Sequence, residues 1–152
     1  MHMPSLMIDM NTTRSLLPKS SQPALRIFLV EDSAAVRNLI VENLAQIPGI
    51  VWAGFSDTES DALEQLLTQS CDVLIVDIEL KQGNGMSLLR KLSQAHAHAQ
   101  SLKVVFSNNV CDAYRRSGQE YGVRHFLDKS YELPQLCALL EQIRARNSCT
   151  LN

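Results

Sequence analysis

The sequence predicts an α/β domain built on a single doubly wound, five-stranded parallel sheet with five helices. Two observations predict it. Short apolar runs alternate with stretches of period near 3.6 over residues 26–146. Three of those runs are almost uninterrupted by polar residues, as central strands covered on both faces by helices require.

The elements follow in order. Residues 1–25 carry Pro4, Pro18 and Pro23 among scattered Ser, Thr and Asn, without a sustained period, which is the composition of a flexible leader. Ile27-Phe28-Leu29-Val30 is the first strand and ends in Glu31-Asp32. Ser33 can cap a helix with Val36, Leu39, Ile40, Leu44 and Ile47 as its apolar stripe, stopped by Pro48-Gly49. Residues 50–55 form a second strand, and Asp57 or Thr58 caps a helix that turns Leu63, Leu66 and Leu67 inward. Val73-Leu74-Ile75-Val76 is the third strand and ends in Asp77. A loop with Gly83-Asn84-Gly85 leads to a helix buried through Met86, Leu89 and Leu92. Val104-Val105-Phe106 is the fourth strand and ends in Ser107. A short helix over 112–121 stops at Gly122, a fifth strand spans 123–127 and ends near Lys129, and a helix over 132–146 closes the domain. Residues 147–152 remain as a short tail.

Composition narrows the function classes. With 45% apolar and 20% charged residues the chain can build a core, and its net charge of −2 excludes bulk attraction to nucleic acid or anionic membrane. No run approaches the roughly 18 apolar residues of a membrane span, and Leu6-Met7-Ile8 is too short for a signal-peptide core. Cys71, Cys111, Cys137 and Cys149 fit no zinc-ligand spacing, and Cys71, Cys111 and Cys137, beside or within apolar stretches, read as reduced and mostly structural. The expectation is a soluble cytoplasmic protein.

Open sheets of this kind bind ligands beyond the carboxyl ends of their strands. In a 2-1-3-4-5 order those ends bring together Glu31, Asp32, Asp77, Ser107 and Lys129. Three adjacent carboxylates repel one another unless a cation sits among them, and hard oxygen ligands suit Mg2+. Asp77 is the most central and the candidate nucleophile toward phosphorus. Lys129 and Ser107 can face the incoming phosphoryl oxygens. Taken singly, Asp32 reads as a helix cap, Ser107 as a turn residue and Lys129 as a surface amine. Their joint placement at strand ends points to phosphoryl transfer.

FLVEDS at Phe28 to Ser33, VLIVDIEL at Val73 to Leu80, Gly85 eight residues past Asp77, VVFSN at Val104 to Asn108 and HFLDK at His125 to Lys129 carry a resemblance. Residues 26–146 resemble a response-regulator receiver domain (CheY-like), the phospho-accepting module of bacterial two-component signalling. The resemblance implies that Asp77 accepts a phosphoryl group from a sensor histidine kinase or a histidine phosphotransfer protein. It implies Mg2+ held by Asp32, Asp77 and the backbone carbonyl of Glu79, with Glu31 acting through water, and phosphate held by Ser107 and Lys129. Phe126 matches the family's switch aromatic, which turns inward as the hydroxyl residue moves toward the phosphate; the plainer reading of Phe126 is a core side chain.

The chain departs from the pattern in three places. Ser130 stands where the family has proline after a cis bond, so a trans Lys129–Ser130 bond is expected. Asn108 replaces a small residue, and Lys81 replaces a proline. Glu79, Lys81 and Asn109 are expected to tune the phosphoryl lifetime. His96 and His98, two apart near a helix end, are not expected to share a metal, and His125 reads as structural. Arg115 and Arg116, with Tyr114 and Tyr121, are candidates for a partner surface.

The resulting expectation is a stand-alone phosphoacceptor, not a turnover enzyme, that signals through an unidentified downstream protein without touching nucleic acid or membrane. A haloacid-dehalogenase-type phosphohydrolase is the rival, because Asp77-Ile78-Glu79 and Ser107-Asn108 resemble its motifs. Against it, position 79 is Glu instead of Asp, and the acidic pair precedes the nucleophile strand. A flavodoxin-like nucleotide or FMN binder shares the architecture, but Glu31-Asp32 in the first loop would repel its phosphate.

Overall fold

Ile27, Phe28, Leu29 and Val30 are at most 1% exposed, so the first strand is covered on both faces. The computed structural model describes residues 23–151, with side chains described through Asn147. The expected leader, as far as residue 22, lies outside the described residues. The chain runs β1 (Leu25–Val30), α1 (Ala34–Leu44), β2 (Ile50–Ser56), α2 (Glu59–Leu66), β3 (Val73–Val76), α3 (Gly85–Gln94), β4 (Leu102–Ser107), α4 (Asp112–Glu120), β5 (Val123–Asp128) and α5 (Leu133–Leu151). The sheet order is β2-β1-β3-β4-β5, with every pairing parallel.

Alternation along β1 divides the core in two. Phe28 and Val30 pack with Ala62 and Leu66 of α2 and with Leu88, Leu89 and Leu92 of α3. Ile27 and Leu29 pack on the other face with Ile40 and Leu44 of α1 and with Leu136 and Leu140 of α5. The period of two along a strand is what feeds both faces at once. Ser33 caps α1 by accepting the Val36 N–H, and Thr58, the second of the two expected candidates, caps α2 by accepting the Asp61 N–H.

The structure corrects several expectations. Leu25 belongs to β1 and not to the leader: it is 2% exposed and pairs with Ile50. The last helix continues past Arg146 to Leu151, because residues 147–151 include no Gly or Pro to stop it. Leu39 and Leu67 point outward at 49% and 53% exposure, each lying beside a residue that takes the inward place, Ile40 and Leu66. His96 and His98 sit just past the end of α3, near a helix end as expected, and both have left-handed backbone (φ 55° and 58°). Among the cysteines with described side chains, Cys71 is buried, Cys137 half-buried and Cys111 exposed, so a structural role does not extend to Cys111.

Candidate functional site

The topology brings the strand ends together as expected. The Asp77 N–H donates to Val30 O at 2.9 Å, and the Lys129 N–H to Ser107 O at 3.2 Å, so the residues that close adjacent strands are tied to one another. Gly85 sits against this corner, where any side chain would strike the Asp77 carbonyl. The loop that leaves Asp77 can therefore fold back tightly beneath it.

Glu31, Asp32 and Asp77 form one acidic cluster in which a carboxylate oxygen from each lies within 4.8 Å of the others. Glu31 is 1% and Asp77 4% exposed, while Asp32 is half-buried. The Lys129 ammonium reaches into the cluster, 2.8 Å from Glu31 Oε1 and 2.7 Å from Asp77 Oδ2. Burial pushes the Glu31 carboxyl up, against the Lys129 hydrogen bond and the Ser33 N–H that its other oxygen accepts at 2.9 Å. Burial also works against the Lys129 charge, but the Asp77 and Glu31 carboxylates outweigh it and hold the ammonium above its ordinary value. One buried cation shared by two buried carboxylates, with a third acid beside them, leaves a surplus of negative charge for a further cation.

Ser107 is 1% exposed at the end of β4, and its hydroxyl accepts the Asn109 N–H at 3.3 Å. Side chains then lace the three loops around the cluster. Asn109 Nδ2 donates to Glu79 Oε1 at 3.2 Å, and the Ser130 hydroxyl to Asn108 Oδ1 at 2.9 Å. Lys81 pairs with Asp57 at 3.2 Å in an exposed ion pair. The Glu79 carboxylate is thus turned to Asn109, and it is not part of the acidic cluster. No peptide bond is cis among the described residues, so Lys129–Ser130 is trans as expected.

Phe126 lies inward in β5 at 8% exposure, with the Arg115 guanidinium carbon 5.5 Å from its ring centroid. Tyr114 and Tyr121 pack partly buried against the same core face, which leaves Arg115 and Arg116 as the exposed members of the expected partner surface. His98 is held by Leu66 O at 2.6 Å and lies 3.7 Å from Cys71 Sγ; neither it nor His96 joins a metal-holding group among the described residues. His125 is half-buried in β5, and burial lowers its pKa. Glu59 was not foreseen. It is a buried acid in the first turn of α2, where a carboxylate reads simply as a complement to the helix dipole.

Comparison with known proteins decides what this arrangement belongs to. The family model of the response regulator receiver domain matches residues 27–141. The chain belongs to the response-regulator receiver family. A protein-glutamate methylesterase/protein-glutamine glutaminase of Anaeromyxobacter dehalogenans is 33% identical to this receiver over 107 residues, covering 70% of the chain and 27% of that protein. The transcriptional regulatory protein DcuR of Shigella flexneri is 28% identical over 110 residues, covering 71% of the chain and 45% of that protein. The receiver thus spans between about a quarter and a half of the length of these relatives. Among solved structures, the response regulator domain of Thermotoga maritima CheB superposes with a TM-score of 0.68 at 23% identity, covering 82% of this chain and 97% of that one. The signal receiver domain of a putative Luxo repressor protein from Vibrio parahaemolyticus gives 0.71 at 17% identity, covering 84% and 95%. These two likenesses establish the shared fold. The haloacid-dehalogenase and FMN-binding readings find no support in them. No helix among the described residues is long and apolar enough to cross a membrane.

Proposed function

We propose that this receiver accepts a phosphoryl group on Asp77 from the phosphohistidine of a sensor histidine kinase or a histidine phosphotransfer protein. The observation that carries the reading is the Lys129 ammonium shared between Asp77 and Glu31 at the strand ends. An Asp77 carboxylate oxygen attacks phosphorus, the P–O bond forms, and the P–N bond to the donor imidazole breaks. Lys129 is close enough to follow the new phosphoryl oxygens with its charge, and the Ser107 hydroxyl at the neighbouring strand end can donate to another.

The acidic cluster fits Mg2+: its donors are hard carboxylate oxygens, they lie within 4.8 Å of one another, and one ammonium does not neutralise three acids. Asp32, Asp77 and the Glu79 carbonyl would hold the ion, with Glu31 acting through water. When bound it supplies positive charge opposite Lys129, which relieves repulsion between the carboxylate and the phosphoryl oxygens. Phosphorylation then draws Ser107 toward the phosphate and favours the inward Phe126, changing the surface of α4 and β5 offered to a downstream protein. In this reading the protein is a cytoplasmic phosphoacceptor with slow self-hydrolysis and no substrate turnover.

Incubation with a small phosphodonor and Mg2+, followed by intact mass measurement, tests the assignment. Wild type should gain a single phosphoryl group, and Asp77→Asn none. An unmodified wild type, or modification that survives in Asp77→Asn, would overturn it, and sustained release of phosphate from simple esters would restore the phosphohydrolase.

A further inference from the structure

Glu59 is 6% exposed and makes four hydrogen bonds to the loop between β3 and α3 and to α3 itself. Its Oε1 accepts the Asn84 N–H at 2.9 Å; its Oε2 accepts from the Ser87 hydroxyl at 2.7 Å and from the Lys91 ammonium at 2.6 Å. Its own N–H donates to Gln82 O at 2.9 Å, beside a parallel bridge between Thr58 and Gln82. Gly83 has φ +84°, and a side chain there would collide with the Glu59 Cβ and carboxylate, so the loop is moulded onto this one residue. Burial alone would raise the Glu59 pKa, yet the Lys91, Ser87 and Asn84 donors together lower it, in keeping with a charged carboxylate in a closed ring of donors.

The second half of the chain of contacts lies inside the loop. Asn84 faces Glu79 across an isolated antiparallel bridge, and the adjacent Gly85 N–H donates to Ile78 O at 2.7 Å. Holding Asn84 therefore holds Glu79 in register, two residues after Asp77. We propose that Glu59 is a positioning residue for the metal site: through Asn84 it fixes the Glu79 backbone, and with it the carbonyl that, on the function proposed above, completes the Mg2+ ligands. A loop that needs no rearrangement on binding loses less affinity to ordering, the same economy by which outer partners orient metal ligands.

Calorimetric titration of Mg2+ into the folded, unphosphorylated protein tests this, alongside amide exchange at Asn84 without metal. Glu59→Gln puts a donor where Ser87 and Lys91 need an acceptor, and is expected to weaken Mg2+ about tenfold, the low end for loss of an outer-shell partner. Exchange at the Asn84 amide should quicken before any metal is added. Leu140→Ala, in the opposite core, lowers stability and should leave both readouts unchanged. Were Glu59 merely structural, Glu59→Gln would behave like Leu140→Ala, and unchanged Mg2+ affinity in the folded variant overturns the proposal. Should Glu59→Gln fail to fold, Ser87→Ala removes one donor only and should weaken Mg2+ about threefold, the value of a modest hydrogen bond; no change there overturns the proposal equally. A wild type that binds no Mg2+ overturns the metal reading and this proposal together, an outcome distinct from wild-type binding that the variants leave intact.

Discussion

The Ser130 hydroxyl donates to Asn108 Oδ1 at 2.9 Å, so two of the positions at which this chain departs from the receiver pattern are partners of each other. Ser130 follows Lys129, and Asn108 follows Ser107, so the bond joins the two loops that carry the phosphate-facing groups. A loop without proline has more freedom in the unfolded and folded states alike. A side-chain hydrogen bond to the neighbouring loop restores some of the lost constraint.

That pairing predicts coupling between Asn108→Ala and Ser130→Ala. In a double-mutant cycle read by urea unfolding, the two should interact by about 0.5–1 kcal/mol, the range of an exposed neutral hydrogen bond. Additive effects would show that the two side chains act independently.

Lys129→Met should destabilise the metal-free protein at neutral pH by about 3 kcal/mol, because it leaves the buried Glu31 and Asp77 carboxylates without their shared cation. Saturating Mg2+ should recover a large part of that loss, since a divalent ion answers the same surplus of negative charge. Denaturation curves with and without Mg2+ measure both numbers. A deficit that Mg2+ leaves untouched would mean that the ammonium and the metal do not address the same acids.

The strand ends were legible because each is a polar residue closing an apolar run, and topology alone brings such ends together. Asp77, Glu31 and Lys129 could be assembled on that basis before any coordinate was known. What the sequence could not show is which polar groups meet side chain to side chain across loops. Glu59 looks like any acid in a helix's first turn, and its role depends on Gly83, Asn84, Ser87 and Lys91 converging from more than twenty residues away. Leu39 and Leu67 were misplaced for a related reason: a broad apolar stripe does not say which of two adjacent leucine-like residues faces the sheet. The left-handed backbone at His96 and His98 was not legible because positive φ is uncommon for any non-glycine residue, even for His, which is enriched there.

Glu79 and Lys81 lie two and four residues after Asp77, and Asn109 two residues after Ser107, with Asn109 bonded to Glu79 and Lys81 to Asp57. Alanine at Glu79 or Asn109 breaks the bond between the loops that follow Asp77 and Ser107 and should change the decay rate of phosphorylated Asp77 by about threefold or more, as loss of one modest hydrogen bond allows. Lys81→Ala and Glu79→Ala each remove a charge close in sequence to Asp77 and should alter the rate with a salt dependence that Asn109→Ala lacks. Decay is followed by mass after removing the phosphodonor. Identical rates in all three variants and wild type would dispose of a gating role.

Lys103 offers a test of pH dependence away from the acidic cluster. It lies near the start of β4 at 4% exposure, with its ammonium bonded to the His98 and Ser101 carbonyls. Burial lowers its pKa below the ordinary 10.5, and the neighbouring Cys71, as a thiolate, would oppose that shift only in part. In the window between the lowered folded value and 10.5, the unfolded chain binds the proton that the folded chain has released, so stability gains with rising pH. Lys103→Met lacks this group and cannot show the gain. Urea unfolding of both proteins, each carrying Cys71→Ser to remove the coupled thiol, from about pH 8 upward should therefore give a difference that moves in favour of the Lys103 protein as pH rises. A difference that stays flat would mean that Lys103 titrates alike in both states, and one that moves toward the variant would mean that the carbonyl cradle raises its pKa instead.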